Sequence, residues 1–558
     1  MEWLSNKWTA TVVSIWIQCT VGASYTFGIY SSELKSSQGY DQSTLDTVSV
    51  FKDIGANVGV LSGLLYSAVT PKRGRSSGTQ WGGPWVVHLA GAVQCFVGYF
   101  FLWAAVAGLI DRPTVPVMCL FMFLAAHAQT FFNTANIVTG VHNFSSYGGT
   151  IVGILKSFLG LSGAILVQIY EIVCNGKPST YLLMLSVLPT LMTLSLMVLV
   201  RIYETSNTGD EKKHLNAFSA VALIIVAYRM MIIILENFLT FSSWVRTFTF
   251  ILLLLLLASP LGIVIKAQNE DSSRVPQTFE DARNPLLANT EQTKSDKIYA
   301  SSEDTSENKE LPSGDEILVK VSSDDTTPLP NEVVDMNILQ AMSTINFWLL
   351  FVAMICGMGS GLATINNMSQ LGESLGYKTV EINSFVSLWS IWNFLGRLGA
   401  GYLSDVLLHD RGWPRPLLMA ITLAAMAVGH IVIASGFPGN LYVGSFLVGI
   451  CYGSQWSLMP TITSEIFGLG DMATIFNTIA IASPAGSYIL SVRVIGFIYD
   501  KEASGEDSCS GNYCFMSSFF IMAFVAFFGF LVSVTLFFRT KRFYQVIVLK
   551  RLGHSLRQ

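Results

Sequence analysis

Charge is what this chain has least of. Over 558 residues only 13% are Asp, Glu, Lys or Arg, where an ordinary soluble domain carries about 25%. A soluble fold of this length would divide into several polar-surfaced domains, and that reading is excluded. Chemistry-bearing motifs are missing as well. There is no phosphate-cradling Walker loop, no HExxH, no GxSxG and no pair of carboxylates with aqueous access, so neither an enzyme nor a bound cofactor is expected. The eight cysteines, at 19, 95, 119, 174, 356, 451, 509 and 514, include no CxxC and no Cys/His ligand spacing, which argues against a metal site. Basic residues are scattered through short loops rather than gathered into a patch, so nucleic acid is not an expected partner. The opening "MEWLSNKW" runs at once into an apolar stretch, so no cleavable leader is expected.

What the chain has instead is apolar length. Hydrophobic residues make up 51% of it, with a mean hydropathy of +0.50. Runs of about 20 apolar residues recur, each able to cross about 30 Å of hydrocarbon. The expected spans are 9–31, 45–69, 84–110, 116–141, 148–171 and 181–203, then 217–235 and 245–266, then 341–367, 380–405, 415–435, 440–466, 473–499 and 515–538. This is an all-α polytopic membrane protein with 12–14 spans and the lipid bilayer as its main partner. Its expected divisions are a first six-helix bundle (1–203), an extra transmembrane pair (204–266), a linker (267–340), a second bundle (341–538) and a basic tail (539–558). The pair is the least secure, because it carries Arg229, Glu236 and Arg246.

The net charge of −4 averages two populations. Between Ala267 and Met336 there are 16 acidic and 6 basic residues, a balance of −10, which leaves +6 on the remainder. That segment is rich in Ser and Thr and poor in aromatics, so it is read as a disordered linker. It is either a passive tether or a landing place for a cytosolic partner or kinase. Counting Lys and Arg in the short loops places 15 on the side of the two termini and six on the other, so both termini are expected in the cytosol. Which membrane holds the chain is left open among plasma, vacuolar and mitochondrial. On the non-cytosolic side, "DKEASGEDSCSGNYC" brings Cys509 and Cys514 close enough in sequence for a stabilising disulfide.

Two sets of six spans suggest a duplicated half, and "NFSSYGGTIVGI" (143–154) is echoed weakly by "IFGLGDMATIFN" (466–477). In "NFLGRLGAGYLSDVLLHDRGWPRP" (393–416), Gly396, Ala400 and Gly401 permit close helix packing. Asp405 falls where an acid can cap a neighbouring helix N-terminus and pair with a loop arginine such as Arg411.

That stretch, "GxLSDxxxxDRGxPRP", resembles the cytoplasmic signature of the major facilitator superfamily, with Gly401, Asp405 and Arg411 matching and Arg415 in the basic tail. The resemblance implies two six-helix bundles working by alternating access, with these residues as a gate. The equivalent place in the first half, "GLLYSAVTPKRGR", has Ser67 in place of the aspartate, with Lys72, Arg73 and Arg75 following. "WTATVVSIWIQCTVGASYTFGIYSSELKSSQGY" (8–40), the acidic insertion and "PTITSEIFG" (460–468) look like the plant nodulin-like, nuclear-fusion-defective-four-like facilitators. "NFLGRLGAGYLSD" and "GFIYD" are similar to the oxalate/formate and monocarboxylate branch, where an arginine matching Arg397 helps hold a carboxylate. The match is partial: Asn393 stands where that branch has an aspartate, and its acidic first-span motif is absent.

Ionisable residues inside spans are costly and mark candidate sites. Arg397 either binds substrate or braces Asp405, and Lys156 lies mid-span where snorkelling is hard. Arg493 either joins them or sits at the interface. Together they point to a small organic anion as cargo. Gln18, Tyr25, Asn366 and Gln455 are further candidate binding groups; Asn367, Trp456 and Asn477 are polar or aromatic groups at the same depth. His127 and Asp53 are candidates for proton coupling, and Glu465 for a gate contact. Two other readings stand beside this one. One is a carrier of a neutral or cationic metabolite; the other is a non-transporting scaffold or sensor acting through the acidic linker.

Overall fold

In the computed structural model, fourteen long helices account for nearly all of the described residues, which are 6–70, 82–203, 210–239, 241–270, 335–503 and 509–548. The first six are α1 (Lys7–Gln38), α2 (Ser43–Val69), α3 (Pro84–Val106), α4 (Val115–Asn143), α5 (Ser145–Val173) and α6 (Pro178–Leu199). A pair follows, α7 (Glu211–Glu236) and α8 (Ser243–Glu270). The last six are α9 (Ile345–Asn366), α10 (Thr379–Arg411), α11 (Arg415–Ser435), α12 (Asn440–Phe467), α13 (Met472–Glu502) and α14 (Tyr513–Val546). Twelve of these are long and apolar enough to cross a membrane. The other two, α10 and α12, carry Asn393, Arg397, Asp405, Gln455 and Glu465. Of these, Asn393, Arg397, Asp405 and Gln455 are buried inside the protein.

Local chemistry sets the helix ends. Proline opens α3 and α6, where its missing N–H is not needed. The Asp41 carboxylate accepts the Thr44 amide at 2.8 Å at the start of α2. Gly412, at φ 65°, ends α10 in the left-handed conformation that glycine adopts without a Cβ clash. Three spans are interrupted. α1 breaks around Gly22, α2 breaks at Val58–Gly59, and α13 contains a π-helical stretch, Tyr488–Gly496.

Contacts divide the chain into two units. One joins Met1–Val264 to Val333–Gln558; the other is Ile265–Glu332, described only over the last turns of α8. Within the first unit the two sets of six meet along two seams, α5 against α10 and α2 against α13. In α5 the most apolar stretch is 89% buried, against 28% in α2, which places α5 at the centre.

The extra pair is fully helical despite its charges. Arg229 of α7 is buried and donates to Gln168 Oε1 at 2.5 Å and to the Ala164 carbonyl at 3.1 Å, both on α5. α7 also touches α10, and the Trp16 indole donates to the Leu257 carbonyl of α8 at 2.8 Å. The pair therefore packs over the α5–α10 side.

Most of the acidic linker, and the tail beyond 548, lie outside the described residues, as do Lys72, Arg73 and Arg75. Three margins differ from expectation. α8 runs on to Glu270, a short helix forms at Ile338–Met342, and residues 539–548 continue the helical path of α14.

Candidate functional site

The α5–α10 seam is closed at one end by a buried charged cluster. Asp405 Oδ1 accepts the Gly149 amide at 3.1 Å, while Oδ2 accepts the Thr150 amide and the Thr150 hydroxyl, each at 2.6 Å. An aspartate on one half thus caps the N-terminus of a helix on the other, where unsatisfied N–H groups favour negative charge. The arginine partner is Arg415. Its Nη2 donates to Asp405 Oδ1 at 2.6 Å, its Nη1 to Ser404 Oγ, and its Nε to Glu465 Oε1 at 2.7 Å. The Tyr544 hydroxyl completes the set by donating to Glu465 Oε2 at 2.7 Å.

This corrects the expected Asp405–Arg411 pair. Arg411 lies at the C-terminal end of α10, with its guanidinium 5.7 Å from the Trp413 ring centre. Arg415 opens the next helix, which returns it to within reach of Asp405. Gly401 sits where the sequence pattern put it: a Cβ there would stand 2.7 Å from Gly153 Cα. On the other seam Ser67 Oγ meets Thr474 Oγ1 at 3.3 Å.

Deeper along the seams lies a cavity of about 40 Å³, lined by residues from both halves including Tyr25, Gln129, Asn133, Lys156, Arg397 and Trp456. Lys156 is 1% exposed and Arg397 2%. The Lys156 ammonium lies 4.7 Å from the Trp456 ring centre and 5.7 Å from that of Phe476; the Arg397 guanidinium lies 5.9 Å from Trp456. Neither cation makes an ion pair with a described residue. A buried charge without a partner costs several kcal/mol. Cation–π contact recovers about 0.5–2 kcal/mol. The guanidinium, which stays protonated, therefore brings to the cavity a charge that no described residue compensates.

Of the other expected binding residues, Tyr25 reaches the cavity. Gln18 stands behind it, donating to Asn133 Oδ1 at 3.4 Å. Three lie elsewhere. Arg493 is exposed on the π-helical stretch, 6.0 Å from the Tyr488 ring centre, because that stretch turns it outward. Gln455 points into the second bundle, with Nε2 3.7 Å from Met426 Sδ. Asn366 is exposed and donates to Ser487 Oγ at 3.4 Å.

His127 is buried, with Nδ1 2.8 Å from Gln94 Oε1 and Nε2 3.1 Å from the Val58 carbonyl, at the break in α2. Asp53 is half-exposed and pairs with Lys52 at 3.1 Å. The loop cysteines Cys509 and Cys514 are disulfide-bonded. Thr150 and Tyr544 were not read from the sequence as part of the Asp405 cluster, although Thr150 and Thr474 both fall inside the echoed "GGTI" and "MATI".

Comparison with known proteins agrees with this architecture. The family model described as Nodulin-like matches residues 7–265, and the one described as NFD4, C-terminal domain, matches 332–546. Protein NUCLEAR FUSION DEFECTIVE 4 of Arabidopsis thaliana is 25% identical over 97% of this chain and 90% of its own length. The structure of the major facilitator proton:xylose symporter XylE, bound to 6-bromo-6-deoxy-D-glucose, superposes with a TM-score of 0.54 over 95% of both chains, at 10% identity. The nodulin-like and NFD4 C-terminal models thus account for both halves of the chain, and its fold is that of a major facilitator protein. Probable transporter MCH1 of Yarrowia lipolytica, 26% identical, matches 28% of this chain and 34% of the fungal protein. The XylE likeness establishes the fold alone.

Proposed function

We propose that this protein is a secondary transporter carrying a small carboxylate by alternating access, with the cavity between the halves as its binding site. One observation carries the reading: Lys156 and Arg397, one from each half, are buried against the same indole ring with no described counter-ion. An anion placed there would satisfy both cations, and the planar guanidinium suits the two oxygens of a carboxylate. A cavity of about 40 Å³ holds only a few waters, so the cargo is small or enters a wider state of the same site.

The Asp405 cluster supports a latch for one end of the cycle. Opening that end requires the carboxylate to leave the N-terminus of α5. With the basic loops inward, this is the cytosolic end. For proton coupling the geometry favours His127 over Asp53. An imidazolium would donate to both Gln94 and the Val58 carbonyl, linking protonation to the break in α2.

The test is thermal stability of the purified chain against lactate, oxalate and succinate at pH 5.5 and 7.5. A ligand at 100 times its Kd stabilises by about 2.7 kcal/mol. A shift that vanishes in Arg397→Gln supports the reading. Shifts confined to neutral or cationic compounds would sink it.

A further inference from the structure

Arg397 is held by two groups from different halves of the molecule. Its Nε donates to Asn393 Oδ1 at 2.9 Å, one turn earlier on α10, and its Nη1 donates to the Lys156 carbonyl at 2.7 Å on α5. Both acceptors are neutral. Asn393 is itself buried. The space beside the guanidinium exists because residue 160 is glycine; a Cβ there would stand 3.3 Å from Nη1. Lys156 of α5 and the Trp456 ring of α12 face the same cavity.

We propose that Asn393 is the positioning residue for Arg397, aiming its guanidinium at the cavity without cancelling its charge. This rests on the reading that the cavity takes an anion. The two acceptors differ in what happens when the halves part. The Lys156 carbonyl leaves with α5, whereas Asn393 rides on the same helix as Arg397 and keeps its hold in every state. A carboxylate at 393, the group the monocarboxylate branch carries there, would make the same hydrogen bond, but when ionised it would compete with the cargo for the guanidinium and weaken the hold on an anion. An apolar residue would leave Nε unpaired and the long side chain free to turn away. An uncharged acceptor both fixes the arginine and leaves its full charge to the cavity.

The experiment measures charge selectivity in the full-length purified protein. Lactate and succinate are titrated beside their amides, lactamide and succinamide, against wild type, Arg397→Gln, Asn393→Asp and Asn393→Ala. Wild type is expected to prefer acid over amide by 10-fold or more, and Arg397→Gln to lose that preference. Asn393→Asp should reduce it at least 5-fold, because its own carboxylate competes with the cargo for Arg397. Asn393→Ala should bind the acids at least 5-fold more weakly while keeping some preference for them. If Asn393→Ala does not fold, the ratio in Asn393→Asp decides alone, since each preparation is its own control. Wild-type selectivity in Asn393→Asp, alongside its loss in Arg397→Gln, overturns the role of Asn393 and leaves the anion site standing. No preference in wild type, or an undiminished one in Arg397→Gln, overturns the anion site and this inference with it.

Discussion

Ser67 Oγ and Thr474 Oγ1 lie 3.3 Å apart on the α2–α13 seam, where the corresponding atoms of the α5–α10 seam, Asp405 Oδ2 and Thr150 Oγ1, lie 2.6 Å apart. The two contacts occupy matching places in the two halves but differ in kind. One is a single neutral hydrogen bond. The other is a buried carboxylate bound by two amides, a hydroxyl and a guanidinium. Among the described residues, the stronger of these two contacts is the one on the α5–α10 seam.

Asp405→Asn should accordingly cost far more than Ser67→Ala. The first removes the carboxylate's charge and leaves Glu465 as the one described counter-ion of Arg415, a loss of about 2–3 kcal/mol; the second removes about 1 kcal/mol or less. Thermal unfolding of the two variants side by side checks this. Equal losses would mean that the seams share the load.

Gly401 and Gly399 make a matched pair for testing how close the halves must come. A Cβ at 401 would stand 2.7 Å from Gly153 Cα and 2.9 Å from Ser457 Oγ, whereas one at 399 would meet nothing within 4 Å. Gly401→Ala is expected to cost about 1–3 kcal/mol by overpacking. Amide exchange over residues 148–153 should quicken as the α5 cap comes away from Asp405. Gly399→Ala should leave exchange there unchanged.

The Cys509–Cys514 bridge closes a small loop whose Gly511 amide donates to the Ser374 carbonyl at 2.8 Å. Replacing both cysteines by alanine should lower stability by about 2 kcal/mol, the chain-entropy value for so short a loop. Ligand-induced thermal shifts should survive, because the loop is remote from the cavity lining. Loss of ligand response in the double variant would give the loop a part in the site.

Asp335, at the end of the acidic segment, accepts the Leu469 and Gly470 amides at 2.8 and 3.2 Å, in the turn between Glu465 of the latch and Thr474 of the other seam. Asp335→Ala should speed amide exchange at 469 and 470 by about 5-fold, the equivalent of roughly 1 kcal/mol for an exposed charge-assisted pair. Unchanged exchange would show that the turn is held by its own backbone.

Much of the fold was legible because membrane insertion imposes a simple rule: spans must be apolar and about 20 residues long. The family signature around Asp405 was legible because its spacing lies within one stretch of chain. Partners were harder to read. Arg411 and Arg415 are close in sequence, and only the turn at Gly412–Pro414 decides which of them comes back to Asp405. Arg493 and Arg397 looked alike as lone arginines in apolar spans. One rides a π-helical stretch out of the core and the other faces α5.

By itself, then, the sequence determined the class of fold, the approximate places of its long helices and the residues whose charge has no place in lipid. It did so because those properties are sums over local composition. The tertiary structure alone decided which cations share a cavity, which arginine closes the latch and which acceptor holds Arg397. The shared cavity depends on contacts across more than 200 residues of chain, such as Arg397 with Lys156, while the other two depend on the backbone path after Gly412 and on side-chain direction along α10, which composition does not encode.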